Sequence, residues 1–73
     1  MKIFLILVYL TTEGFEEKGR YLITDLGDSY TTKAYEWSMR ECERVGNQVF
    51  VTHGPVPEPY MGVATYCEAV QGE

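Results

Sequence analysis

The chain is short of nearly everything from which sites are made. Its 73 residues hold one histidine, His53, and two cysteines, Cys42 and Cys67. A structural zinc site needs four nitrogen or sulfur ligands at recognisable spacing, and three scattered candidates do not supply it. A Cys–His nucleophile pair needs both groups within hydrogen-bond reach, and no local spacing brings His53 to either cysteine. Bases are also scarce: six Lys and Arg against eleven Asp and Glu, a net charge of −5. Nucleic-acid binding rests on Lys and Arg neutralising phosphates, so no direct nucleic-acid contact is expected. Nor is attraction to an anionic membrane surface. A transmembrane helix needs about 18 or more consecutive apolar residues, and no run comes near that. The reading is no enzyme, no metal and no cofactor.

What the chain does have is one apolar run, Lys2–Thr11 (KIFLILVYLT). Ile3, Leu5, Leu7 and Tyr9 alternate with Phe4, Ile6, Val8 and Leu10, and both sets are apolar. Its length and β-branching favour a strand buried on both faces over a helix. The rival is the apolar region of a secretory leader, but Thr11–Gly14 lacks the small-residue cleavage pattern.

Glycines and glutamates then mark Thr12–Gly19 as a polar turn that returns the chain as a hairpin. Arg20–Leu26 alternates as a second, half-exposed strand. Thr31 or Thr32 is placed to cap a helix. Ala34, Tyr35, Ser38, Met39, Cys42 and Val45 fall on one helical face, and Gly46 is a natural stop. Val49–Thr52 reads as a third strand, with His53 at its end. The prolines of Gly54–Pro59 make a stiff loop, and Val63–Val70 is a last strand. Gln71–Glu73 should fray.

The expectation is one small α+β domain, β-β-α-β-β, with a four-stranded, mainly antiparallel sheet in the order 2-1-3-4. One helix lies on one face. Leu5, Leu7, Ile23, Met39, Cys42, Val49 and Val51 should be buried. A single helix leaves the other sheet face bare, which predicts a homodimer or a partner-binding face there. Cys42 and Cys67 have two readings. Bonded, they close a loop of 24 residues, worth about 3 kcal/mol in the loop-entropy model. Free, they are small buried hydrophobes, the form that a reducing cytosol favours.

Three pieces of the chain carry a resemblance: Ile3–Thr11, Thr32–Cys42 (TKAYEWSMREC) and Ala64–Val70 (ATYCEAV). Together they cover less than half of it. The pattern resembles small phage and prophage proteins that begin with a short apolar strand, carry a helix with acids and a cysteine, and end in a strand containing Tyr-Cys. In size, acidity and build it is also similar to several anti-CRISPR inhibitors. The resemblance implies a protein of the host cytoplasm that blocks a host complex by occupying a surface. It assigns no residue a role.

From the residues themselves, the expected partner is a host protein with a basic surface. Glu13, Glu16 and Glu17 of the turn would steer it, and Tyr60 of the loop and Trp37 of the helix would anchor it, unless Trp37 lies over the helix–sheet margin and serves the core instead. The alternative is a small secreted or periplasmic structural domain stapled by a Cys42–Cys67 disulfide.

Overall fold

A computed structural model describes Met1–Gly72. The expected fraying of Gln71–Glu73 falls partly on Glu73, outside the described residues. The elements are β1 (Lys2–Thr11), β2 (Gly14–Asp25), α1 (Thr32–Thr52) and β3 (Gly62–Val70). Both β2 and β3 pair antiparallel with β1, so the order is β2-β1-β3. The apolar run is therefore the inner strand, as its two apolar faces require. Folded this way, β1 is the core itself, and its removal would leave the other two strands without a partner.

The α+β class holds, but the sheet has three strands and not four. Val49–Thr52 is the end of α1, which runs 21 residues. Two glycines eight residues apart explain the difference. Gly46 was expected to stop the helix, yet it lies inside it, facing the sheet. A β-carbon there would sit 3.0 Å from Thr65 Oγ1 and 3.1 Å from Leu5 Cδ1. Its lack of a side chain serves close helix–sheet approach. The terminating glycine is Gly54, whose φ of 79° directly follows the last helical residues. That is the left-handed position favoured at a helix end, and Pro55 prevents any continuation. The start is as expected: Thr31 Oγ1 accepts from the Ala34 amide at 3.0 Å.

The buried helix positions are Ser38, Cys42 and Gly46, a row of small side chains at i, i+4, i+8. Tyr35, Met39, Val45 and Val49 pack beside them against Ile3 and Leu5. Leu5, Leu7 and Cys42 are buried as expected, and Ile23, Met39 and Val49 partly so. Val51 is not: as part of a helix and not a strand, it faces solvent. The helix lies mainly over β3 and β1. Cys42 and Cys67 are bonded, with Cα atoms 6.2 Å apart, so the middle of the helix is tied to β3.

The hairpin is tighter than expected. Thr11 pairs with Gly14, leaving Thr12–Glu13 as a two-residue turn. Thr11 Oγ1 accepts from the Glu13 amide and donates to the Gly14 carbonyl, both at 3.2 Å. The polar stretch Gly14–Gly19 is strand. An edge strand is held by its backbone ladder, and its side chains need not be apolar.

The molecule spans 43 × 23 × 14 Å, thin enough that helix plus sheet is its whole thickness. Even so, the sheet face away from the helix is not bare. Ile6 is 0% exposed and Val8 3%. The flanking strands place Arg20 and Tyr66 beside Ile6, and Glu17 and Ala64 beside Val8. Arg20 reaches Glu17 at 3.1 Å and Glu68 at 3.3 Å, and its guanidinium lies 5.3 Å from the centre of the Phe4 ring. Long polar side chains cover the middle of this face along their aliphatic stems. The centre of that face is thereby covered, while Leu22 at one end and Leu10 and Phe15 at the other stay exposed.

Candidate functional site at the hairpin end

The β1–β2 turn and the loop after α1 meet at one end of the sheet. Met61 donates its amide to the Leu10 carbonyl at 2.9 Å, which fastens the loop to the end of β1. A polar and aromatic cluster holds the rest. Tyr60 donates its hydroxyl to Glu16 Oε2 at 2.7 Å, and Lys18 Nζ lies 3.0 Å from the same oxygen. Lys18 also sits 4.9 Å from the Tyr60 ring centre and 5.7 Å from that of Tyr9. The Tyr9 and Tyr60 rings meet edge-on, 4.9 Å between centres. The Tyr60 hydroxyl, and then Lys18, hold the Glu16 carboxyl below the usual glutamate range.

His53 belongs to the same cluster, at the helix end and not at a strand end. Its Nδ1 is 3.1 Å from the Gly54 carbonyl. A carbonyl only accepts, so Nδ1 carries the proton. In the neutral ring Nε2 then accepts from the Tyr9 hydroxyl, 3.0 Å away. Both ring nitrogens are engaged in fastening structure. The two cysteines are bonded to each other, so neither offers His53 a thiol.

Large exposed apolar side chains lie at the same end of the sheet, Leu10 and Phe15 on the face opposite Tyr9 and Glu16. Phe15 is Leu10's partner across β2. Phe15 is 63% exposed, Met61 64%, and Leu10 is exposed as well. Sequence reasoning marks Met61 as a contact residue at the end of the stiff loop but misses Leu10 and Phe15. The signal was the alternation of β2, hidden because Gly14–Gly19 reads as a turn.

The five expected contact residues are not one surface. Glu16 and Tyr60 meet directly. Glu17 pairs with Val8 and Glu16 with Tyr9, so these two glutamates lie on opposite faces of the sheet. Both are also engaged, Glu17 with Arg20. Glu13 sits at the turn and makes no ion pair among the described residues. Trp37 stands apart. It is 62% exposed, beside Lys33, Glu36 and Arg40 in a shallow cleft of about 180 Å³ on the outer side of the helix. At about 1.5 Å per residue, it lies roughly 24 Å along the axis from His53.

No helix among the described residues is long and apolar enough to cross a membrane. No protein-family model, curated protein or solved structure matches this chain.

Proposed function

We propose that the chain is a non-enzymatic protein-interaction module that binds through the hairpin end of its sheet. The observation that carries this reading is the exposed group Leu10, Phe15 and Met61 on a scaffold stiffened by the Tyr60–Glu16–Lys18 cluster. Leu10 and Phe15 adjoin across the ladder, and apolar surface that stays exposed in a patch marks an interaction site. A pre-ordered loop loses little entropy on binding. Glu13 and the net charge of −5 suit a partner with a basic surface. In the narrower form that the phage resemblance implies, the partner is a host complex and binding blocks it, in the manner of anti-CRISPR inhibitors. Tyr60 then acts by holding the surface, Phe15 and Met61 are the anchors, and Trp37 lies outside the contact.

Capture from host lysate with matched variants tests this. Phe15→Asp should abolish capture while the protein stays folded, because truncating a central anchor costs about 2 kcal/mol or more. Trp37→Ala should leave capture unchanged. Equal loss in both variants, or in neither, would place the contact elsewhere.

The Cys42–Cys67 bond favours a second reading, a small structural domain of an oxidising compartment, secreted or periplasmic. Such a form must retain β1. A thiol count on protein taken directly from its source cells separates the two: none after denaturation favours the second reading, two the first.

A further inference from the structure

The two edges of the sheet differ in how they are guarded. β2 shifts register twice against β1, at Ile3/Phe4 and at Leu7/Val8. Its sequence, GFEEKGRYLITD, is dense in charge. Bulges and charged side chains are what native edge strands use against further pairing. β3 has neither defence. Its register with β1 runs unbroken from Leu10↔Gly62 to Lys2↔Val70. Its sequence, GVATYCEAV, contains no proline, and Glu68 is its sole charge. The outer row of β3 backbone groups has no partner strand among the described residues.

We propose that β3 pairs antiparallel with β3 of a second copy of this chain, joining the two sheets into one. A twofold axis normal to the sheet keeps each side chain on its own face, so the register must place some residue opposite itself. Overlap of the whole strand puts Tyr66, its central residue, on the axis. Glu68 then lies opposite Ala64 of the other copy, and Val63 opposite Ala69. This register keeps the two Glu68 carboxylates off each other and leaves each to its own Arg20, 3.3 Å away. It also places two half-exposed Tyr66 rings side by side, an aromatic cross-strand pair of the kind that stabilises sheets. The complementarity is to a second β3, so a second copy is the occupant.

Sedimentation equilibrium of the disulfide-bonded protein across a range of concentrations provides the test. The mass should rise from 8.4 kDa toward twice that. Hydrogen exchange should show Gly62–Val70 gaining protection as concentration rises, and Gly14–Asp25 gaining none. Tyr66→Lys sets two cations across the axis and should weaken the dimer about tenfold. Ala64→Lys sets a cation opposite Glu68 and should leave the dimer intact or tighter. Circular dichroism and the absence of free thiols establish that each variant is folded. A monomer at every concentration would overturn the proposal, including one whose β3 is protected only by an added extended peptide. So would a dimer indifferent to Tyr66→Lys. A dimer broken by Ala64→Lys would overturn the register. Phe15→Asp should not affect dimerisation, so this result is independent of the hairpin-end reading.

Discussion

On one side of β1, Ile3 and Leu5 lie beneath a helix. On the other, Ile6 and Val8 lie beneath a network of Arg20, Glu17, Glu68 and Tyr66. Ile3 and Ile6 are equally inaccessible, yet the covers are of opposite chemistry. The helix side is closed by small residues at close range and by a covalent bond. The far side is closed by side chains long enough to lay methylenes on the strand while their charges meet above it. An inner strand with two apolar faces thus needs two covers, and the second does not have to be another layer of secondary structure.

The covers should differ most in stiffness. Leu5→Ala leaves a cavity between a helix and a strand that the Cys42–Cys67 bond holds together, and should cost toward the top of the range of about 2–5 kcal/mol for buried large-to-small changes. Ile6→Ala, equally buried, should fall near the bottom of that range, because the arginine and tyrosine above it can settle into the space. Urea unfolding of the two variants checks this. Equal losses would mean that the polar network is as rigid as the helix.

Gly46→Ala probes the close side in the other direction. Alanine gains about 1 kcal/mol of helix propensity, but its methyl group meets Thr65 and Leu5, and overpacking of this kind costs about 1–3 kcal/mol. A net loss of up to about 2 kcal/mol is expected in the same unfolding measurement. A gain in stability would show that the helix can lift without harm.

Arg20 probes the far side. If its stem matters more than its charge, Arg20→Met should keep more stability than Arg20→Ala. The stability of Arg20→Met should also respond less to salt than that of the wild type, since exposed ion pairs are screened. Denaturation midpoints at low and high salt decide which part of the side chain matters.

The smallest effect concerns the hairpin end. The Glu16 carboxyl is held below its ordinary value of 4.5 by the Tyr60 hydroxyl and then Lys18. A group whose pKa is depressed on folding stabilises the fold at pH above the unfolded value, and loses that contribution as pH falls through the folded one. The Tyr60–Glu16 contact should therefore be complete at neutral pH and be lost at pH below the ordinary glutamate value. Glu16→Gln should flatten this part of the acid profile, followed by melting temperature against pH. An unchanged profile would assign the acid sensitivity to other carboxylates, of which Glu41, lowered by its contact with Arg44, is the next to replace.

Much of the architecture could be read from the chain. β1 had to be inner because no single cover can hide both Leu5 and Ile6. Thr31 or Thr32 had to open the helix, since a hydroxyl there meets an otherwise unpaired amide, and the structure uses Thr31. Val63–Val70 was legible as a strand from Val63, Thr65, Tyr66 and Val70 following the proline loop. The end of the helix was harder. Gly46 satisfies the local rule for a stop as well as Gly54 does, and a glycine in a sequence does not say whether it is there for its backbone angle or for its missing side chain. The continuing stripe Cys42, Val45, Val49 was the local clue in favour of Gly54.

Sequence by itself determined which segments must be hidden: the apolar content of β1 and one face of α1. Those follow from the period of the backbone and from the cost of exposing apolar surface. Only the tertiary structure decided what hides them. Whether Glu17 and Arg20 form a loop or a lid, whether Cys42 meets Cys67, and whether Tyr60 reaches Glu16 all depend on residues far apart in the chain coming within a few ångströms of each other. The position of Phe15 at the surface follows from the same cause. A charged edge strand is held by the ladder it forms with β1, and that ladder is a property of the partner strand as much as of its own residues.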